Sequence, residues 1–100
     1  MEKRTPHYNL DDVKSIVLIR GMDAFTSTAK NNARLMELDA QAALDVVLSL
    51  QHKMLFENMT THTSSHVWQD VYHAPCPNGK IAYIKVTIHA GATVIQFKEK

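Results

Sequence analysis

The sequence predicts an α+β domain in which N-terminal helices pack on one face of an antiparallel β-sheet. The first half of the chain has helix-capping residues and helical spacing of apolar side chains. After Phe56, β-branched and aromatic residues become more frequent, and the dipeptides Asn78-Gly79 and Ala90-Gly91 indicate turns. Because the helices would cover one face of the sheet, we expect the other face to stay open for function.

The first helix is predicted between Asn9 and Gly21. Asn9 is a favourable N-cap, Asp12 completes a capping-box-like pair with it, and Tyr8 and Val13 are placed for a hydrophobic staple. Gly21 is placed to end the helix after its last turn. The expected inward face consists of Leu10, Val13, Ile16 and Val17.

Two further helices are predicted before the strands begin. A short extended segment is expected from Ala24 to Ser27, followed by a helix from roughly Thr28 to Leu38, where the composition favours helix. Asp39 is expected to cap a third helix that runs to about Leu50. Its inward residues would be Val46, Val47 and Leu50.

The last two strands show apolar residues at alternate positions. In the strand from Ile81 to His89, the inward residues would be Ala82, Ile84, Val86 and Ile88, and the outward ones Tyr83, Lys85, Thr87 and His89. In the strand from Thr93 to Lys98, the inward residues would be Thr93, Ile95 and Phe97, and the outward ones Val94, Gln96 and Lys98. A hairpin would set the two outward rows side by side, and such a surface suits an anionic substrate.

Composition predicts one domain spanning residues 1–100. Hydrophobic residues make up 45% of the chain and charged residues 21%, which is ordinary for a globular protein. The sequence has no membrane-spanning run and no signal-peptide core, so we expect a cytoplasmic protein without a membrane partner. The net charge of +1 is too small for bulk attraction to nucleic acid, so RNA affinity would require local clustering of positive charge.

The cysteine and the histidines do not predict a cofactor. Cys76 is the single cysteine and lies between two prolines, so we expect a loop thiol with no partner base. His62 and His66 have the spacing of two zinc ligands on a helix, but their neighbours favour strand or loop, where they would stand about 13 Å apart. Carboxylates are too sparse beyond Leu50 for a two-metal nuclease, so no metal site is expected.

Several segments are similar to the MqsR family of bacterial toxins. The similarity depends on the order and spacing of the segments in a chain of matching length, and it is weakest between Gly21 and Lys53. This resemblance implies a RelE-like fold, which agrees with the α+β prediction. The matching segments are Met1 to His7, Met59-Thr60-Thr61, His66 to Tyr72, Ala82 to Lys85 and Phe97 to Lys100.

The resemblance also implies a function. Members of this family are mRNA interferases of type II toxin–antitoxin systems, so we expect a metal-independent endoribonuclease that cuts free mRNA and arrests translation. It implies a preference for GC-containing triplets such as GCU. It further implies an antitoxin of the MqsA kind, which binds zinc and DNA, so the toxin would meet DNA only through that partner.

Metal-free RNA cleavage requires groups that accept the 2′-hydroxyl proton, donate a proton to the leaving 5′-oxygen and stabilise phosphoryl charge. The resemblance implies Gln69, Tyr83 and Lys98 as catalytic residues. Lys98 would stabilise phosphoryl charge, Tyr83 would take part in proton transfer, and Gln69 would orient the phosphate or the 2′-hydroxyl. The expected substrate-binding residues are Lys53, Lys85 and His89. Trp68 and Tyr72, on the opposite side of the strand from Gln69, are expected in the core.

One position departs from the family pattern. Glu57 stands where the family has a further active-site lysine. Two interpretations remain open. Lys53 replaces that lysine if the segment is helical, because it would then lie one turn from Glu57, or Glu57 itself serves as a general base.

Two other classes of function remain open from the sequence. A non-catalytic RNA- or protein-binding module could use the same basic sheet face without cleaving. A DNA-binding regulator would need a basic recognition helix, for which the candidate stretch contains Lys30, Asn31, Asn32 and Arg34.

Overall fold

The computed structural model describes residues 5–60, 67–89 and 92–100, without the side chains of His89 and Ala92, and it confirms the α+β fold. The strands form one antiparallel sheet in the order β1-β2-β3-β4, so that each strand pairs with its neighbour in the chain. The elements are α1 (Leu10–Arg20), α2 (Ser27–Leu35), α3 (Ala40–Leu48), β1 (Leu55–Thr60), β2 (Trp68–Pro75), β3 (Ile81–His89) and β4 (Ala92–Glu99).

The predicted ends of α1 are confirmed. The side-chain oxygen of Asn9 accepts a hydrogen bond from the backbone N–H of Asp12 at 3.1 Å, which satisfies one of the free donors of the first turn. Gly21 has a φ of 60°, a conformation that other residues adopt at a cost, and the helix ends there.

Helix α2 is shorter than predicted. It begins at Ser27, where the Thr26 hydroxyl accepts a hydrogen bond from Ala29 N at 3.0 Å, and it ends at Leu35 rather than Leu38. The end is a Schellman motif, in which Leu38 N donates to Ala33 O and Glu37, at a φ of 65°, reverses the chain. The extended segment expected from 24 to 27 is reduced to the stretch at Phe25 and Thr26, because residues 21–24 form a 3₁₀ turn.

Helix α3 follows the prediction at its start and ends two residues early. The Asp39 carboxylate accepts a hydrogen bond from Ala42 N at 2.8 Å, which confirms the predicted cap. The helix ends at Leu48 instead of about Leu50. The three expected inward residues, Val46, Val47 and Leu50, are all buried.

The hydrophobic core lies between the three helices and one face of the sheet. The strands contribute Tyr72, Ile84, Val86, Ile95 and Phe97 to it, and all five are almost completely buried. The alternation predicted for β3 and β4 is therefore confirmed on the inward side. On the outward side it is interrupted, because Thr87 is also buried.

A buried carboxylate holds the segment before α1 against the sheet. Asp70 is 0% exposed and accepts hydrogen bonds from the backbone N–H groups of His7 and Tyr8 at 2.9 and 2.8 Å. It also accepts one from the Asn58 side chain at 2.6 Å. A single carboxylate on β2 thus holds both the segment before α1 and strand β1.

The two aromatic residues of β2 differ in burial. Tyr72 is buried in the core as predicted. The prediction for Trp68 was wrong, since 37% of it is exposed. The reason is that Trp68 lies at the start of β2, where its ring stacks on the exposed His7 at 5.3 Å between centroids.

Asp70→Asn is expected to lower the free energy of unfolding by about 2 kcal/mol, because hydrogen bonds to a charged acceptor contribute about 1.5–3 kcal/mol each and the amide retains one acceptor oxygen. Urea unfolding followed by circular dichroism measures the change. The matched control is Asp23→Asn, at an exposed position. Equal stability of the two variants would contradict the role given to Asp70.

Candidate active site

The open face of the sheet brings Tyr83 and Lys98 together. The two residues are directly opposite in the antiparallel pairing of β3 with β4. The Lys98 ammonium lies 4.9 Å from the centroid of the Tyr83 ring, within the range of a cation–π contact. The predicted side-by-side arrangement of phenol and ammonium is therefore confirmed, although the turn residues 90 and 91 lie outside the described residues.

A cavity of about 370 Å³ opens beside this pair. Its floor is formed by β3 and β4, and its wall by Thr26 and residues 28–32 of α2. Lys85, which we expected to bind substrate, lines the cavity with its ammonium 5.9 Å from the Tyr83 ring centroid. The lining residues are Thr26, Thr28, Ala29, Asn32, Tyr83, Lys85, Gln96, Phe97 and Lys98.

Gln69 lies on the same sheet face but away from the cavity. Tyr83 is opposite His73 on β2, and Gln69 is four residues before His73, which corresponds to about 13 Å along a strand. Gln69 pairs with Met59 of β1 and is 8% exposed. The structure therefore brings together two of the three predicted catalytic residues and places the third further along the sheet.

The segment from Lys53 to Glu57 is not an α-helix, so the condition under which Lys53 would replace the family's lysine is not met. Lys53 is exposed in a 3₁₀ turn, His52–Met54, whereas Glu57 is in strand β1. The two side chains therefore do not lie one helical turn apart on one face. The side chain of His89, expected to bind substrate, lies outside the described residues.

Glu57 lies near the Tyr83 and Lys98 pair. A bulge in β1 between Leu55 and Glu57 shifts the register with β2, so that Glu57 pairs with Val71 on the open face. Partial burial raises the pKa of Tyr83 above its ordinary value, and the negative charge of Glu57 raises it further. The Tyr83 phenol is therefore protonated at neutral pH and is able to donate a hydrogen bond or a proton.

His73 is a site residue that the sequence analysis did not identify. Its ring stacks on Phe56 at 4.2 Å and lies 5.5 Å from the Tyr83 ring, both measured between centroids. Burial lowers the pKa of His73, as does Lys100, while Glu57 raises it. The alternation of β2 places His73 on the same face as Gln69, but its position opposite Tyr83 depends on a strand register that the sequence does not specify.

Comparison with known proteins identifies the family of this chain. The model of the family described as "Motility quorum-sensing regulator, toxin of MqsA" matches residues 5–99. The chain belongs to the MqsR toxin family. It is also 36% identical to the mRNA interferase toxin MqsR of Escherichia coli (strain K12), over 100 residues that cover the whole of both chains.

This MqsR-family chain was also expected to have a loop thiol, no metal site and no membrane span. Cys76 is buried, and burial raises the pKa of its thiol, which makes the thiol a poor nucleophile. Within residues 5–60, 67–89 and 92–100, no group of three His, Cys, Asp or Glu side chains could hold a metal ion. His62 and His66 lie outside these ranges. No helix in the described part of the chain is long and apolar enough to cross a membrane.

The electrostatic influence of Glu57 on this site can be measured by titration. Glu57→Gln removes a negative charge that raises two pKa values, so the pKa of both His73 and Tyr83 is expected to fall. Lys100→Gln removes a positive charge and is expected to raise the pKa of His73. Nuclear magnetic resonance titration of the two rings gives these values. A His73 pKa that moves in the same direction in both variants would contradict the arrangement.

Proposed function

We propose that this chain is the toxin of a type II toxin–antitoxin system, a metal-independent endoribonuclease that cleaves free mRNA at the Tyr83 and Lys98 pair. The observation that carries the proposal is the placement of the Lys98 ammonium against the Tyr83 ring at the edge of a cavity on the open sheet face. Membership of the MqsR family supports the reaction class. Cleavage of mRNA would stop its translation.

In this mechanism the 2′-hydroxyl of the substrate attacks the adjacent phosphorus and the 5′-oxygen leaves. Lys98 stabilises the charge that develops on the phosphoryl oxygens, with Lys85 adding positive potential in the same cavity. Tyr83, whose phenol is protonated, donates a proton to the leaving oxygen. Glu57 is a candidate base for the 2′-hydroxyl proton, since its charge already acts on Tyr83.

The remaining expected residues would act on RNA away from the scissile bond. Gln69 lies about 13 Å along β2 from the row of Tyr83, so we assign it to a nucleotide further along the RNA rather than to the scissile phosphate. Lys53 and His89 would contact phosphates further along the strand of RNA.

The partners follow from the same proposal. The matched family is described as the toxin of MqsA, so the antitoxin would be an MqsA-like protein, and DNA would be contacted only through it. The substrate would be mRNA in the cytoplasm, cut at GC-containing triplets such as GCU. No cofactor enters the mechanism.

Cleavage in the presence of excess chelator is expected, because the reaction uses side-chain acids and bases. The upstream fragment should carry a 2′,3′-cyclic phosphate or its hydrolysed form, and the downstream fragment a 5′-hydroxyl. End-group analysis of an unstructured RNA measures this. A strict requirement for magnesium, or a 5′-phosphate downstream, would refute the mechanism, and binding without cleavage would establish the alternative of a non-catalytic module.

Lys98→Ala and Tyr83→Phe are each expected to slow cleavage by at least about tenfold, since a positioned proton-transfer group contributes about 10²-fold or more and a group that stabilises developing charge about 10²–10³-fold. Single-turnover rates on one RNA measure the effect. The control Lys14→Ala removes a lysine of α1, outside the cavity lining, and should leave the rate unchanged.

Ile84→Ala, in the core beneath the site, should lower the free energy of unfolding by about 2 kcal/mol or more, at full activity per folded molecule. Unchanged cleavage rates in Lys98→Ala and Tyr83→Phe would show that the active site lies elsewhere.

A further inference from the structure

The wall of the cavity beside the catalytic pair takes no part in the cleavage mechanism. This wall is formed by the N-cap of α2, Thr26, and by Thr28, Ala29 and Asn32 of the helix. Thr28 is exposed, while Asn32 is partly buried. A volume of about 370 Å³ is within the range of pockets that hold small ligands.

Asn32 is held in a fixed orientation in this wall. Its side-chain N–H donates to the backbone oxygen of Phe97 on β4 at 3.0 Å. An asparagine side chain has two N–H donors and a carbonyl oxygen with two lone pairs, so one donor and the carbonyl oxygen remain for a ligand. An amide that is already oriented loses little conformational entropy when it binds.

The cavity lining divides into a charged part and a neutral part. Lys85 and Lys98 lie on the strands, whereas α2 and its N-cap contribute two hydroxyl groups and an amide. No carboxylate is among the lining residues. A nucleotide has the same division, with an anionic phosphate at one end and a neutral base with donors and acceptors at the other.

We propose that this cavity binds the nucleotide next to the scissile bond, with its base against α2, where Asn32 and Thr28 form hydrogen bonds to the base edge. The proposal rests on the proposed function, because the phosphate of that nucleotide lies at Lys98. Sequence-specific proteins recognise single-stranded RNA through such hydrogen bonds to unstacked bases. Asn32 and Thr28 thereby determine which base is accepted at one position beside the cut.

The test uses the whole chain and a pool of short unstructured RNAs of randomised sequence, with all downstream 5′-hydroxyl ends mapped. In Asn32→Ala and Thr28→Val, the preference at one position beside the cut is expected to weaken about tenfold or more. Thr28→Val leaves the hydrogen bond from Asn32 to the backbone oxygen of Phe97 in place. It therefore tests the contribution of Thr28 to base preference without removing the contact that holds α2 on β4. The control Asn31→Ala, an exposed position of the same helix outside the lining, should keep the wild-type preference.

Two outcomes would overturn the proposal: an unchanged preference in both variants, or a uniform slowing on every sequence, which would indicate a contact to the RNA backbone. A second arm separates this result from failure of the proposed function. Binding of 2′-O-methyl RNA, which cannot be cleaved by 2′-hydroxyl attack, is measured for the same proteins. Suppose that the wild-type protein does not cleave RNA but binds it with a base preference, and that Asn32→Ala removes this preference. The proposal that the cavity binds a base would then be supported, and the proposed nuclease activity would be refuted. Binding without any base preference overturns the subsite.

Discussion

The register between β3 and β4 is the constraint on which the site depends. Residues directly opposite on two antiparallel strands point to the same side, so the pairing of Ile84 with Phe97 in the core also sets Tyr83 opposite Lys98 on the open face. A slip of one residue would expose the apolar set to water and bury the lysine. The free energy of burying the core therefore also fixes the geometry of the polar pair.

The outer edge of β4 is covered, and the covering segment contributes to the site. The stretch before α2 pairs with Ile95 in parallel through Phe25, and Thr26 N donates to Ile95 O at 3.0 Å. Helix α2 then lies along β4, held by the bond from Asn32 to Phe97 O. This segment covers an edge of the sheet that could otherwise pair with another chain, and it also forms the wall of the cavity.

Local signals in the sequence were sufficient for the caps of α1 and α3 and for the faces of β3 and β4, because each depends on residues close in the chain. They were insufficient where distant segments meet. The bulge that brings Glu57 to the open face and the place of His73 opposite Tyr83 depend on pairing between strands. The early end of α2 depends on Glu37 adopting a positive φ, which is uncommon for a residue with a side chain. The pairing of Tyr83 with Lys98 was predictable because a short hairpin joins their strands.

The central claim is that Tyr83 and Lys98 act on the same phosphate, and a double-mutant cycle of single-turnover cleavage rates tests it most directly. Groups that act as a unit give effects that do not add as free energies. The account predicts that the double variant Tyr83→Phe with Lys98→Ala cleaves about as slowly as the slower single variant. Rate losses that multiply in the double variant would show that the two residues act independently and would contradict the account.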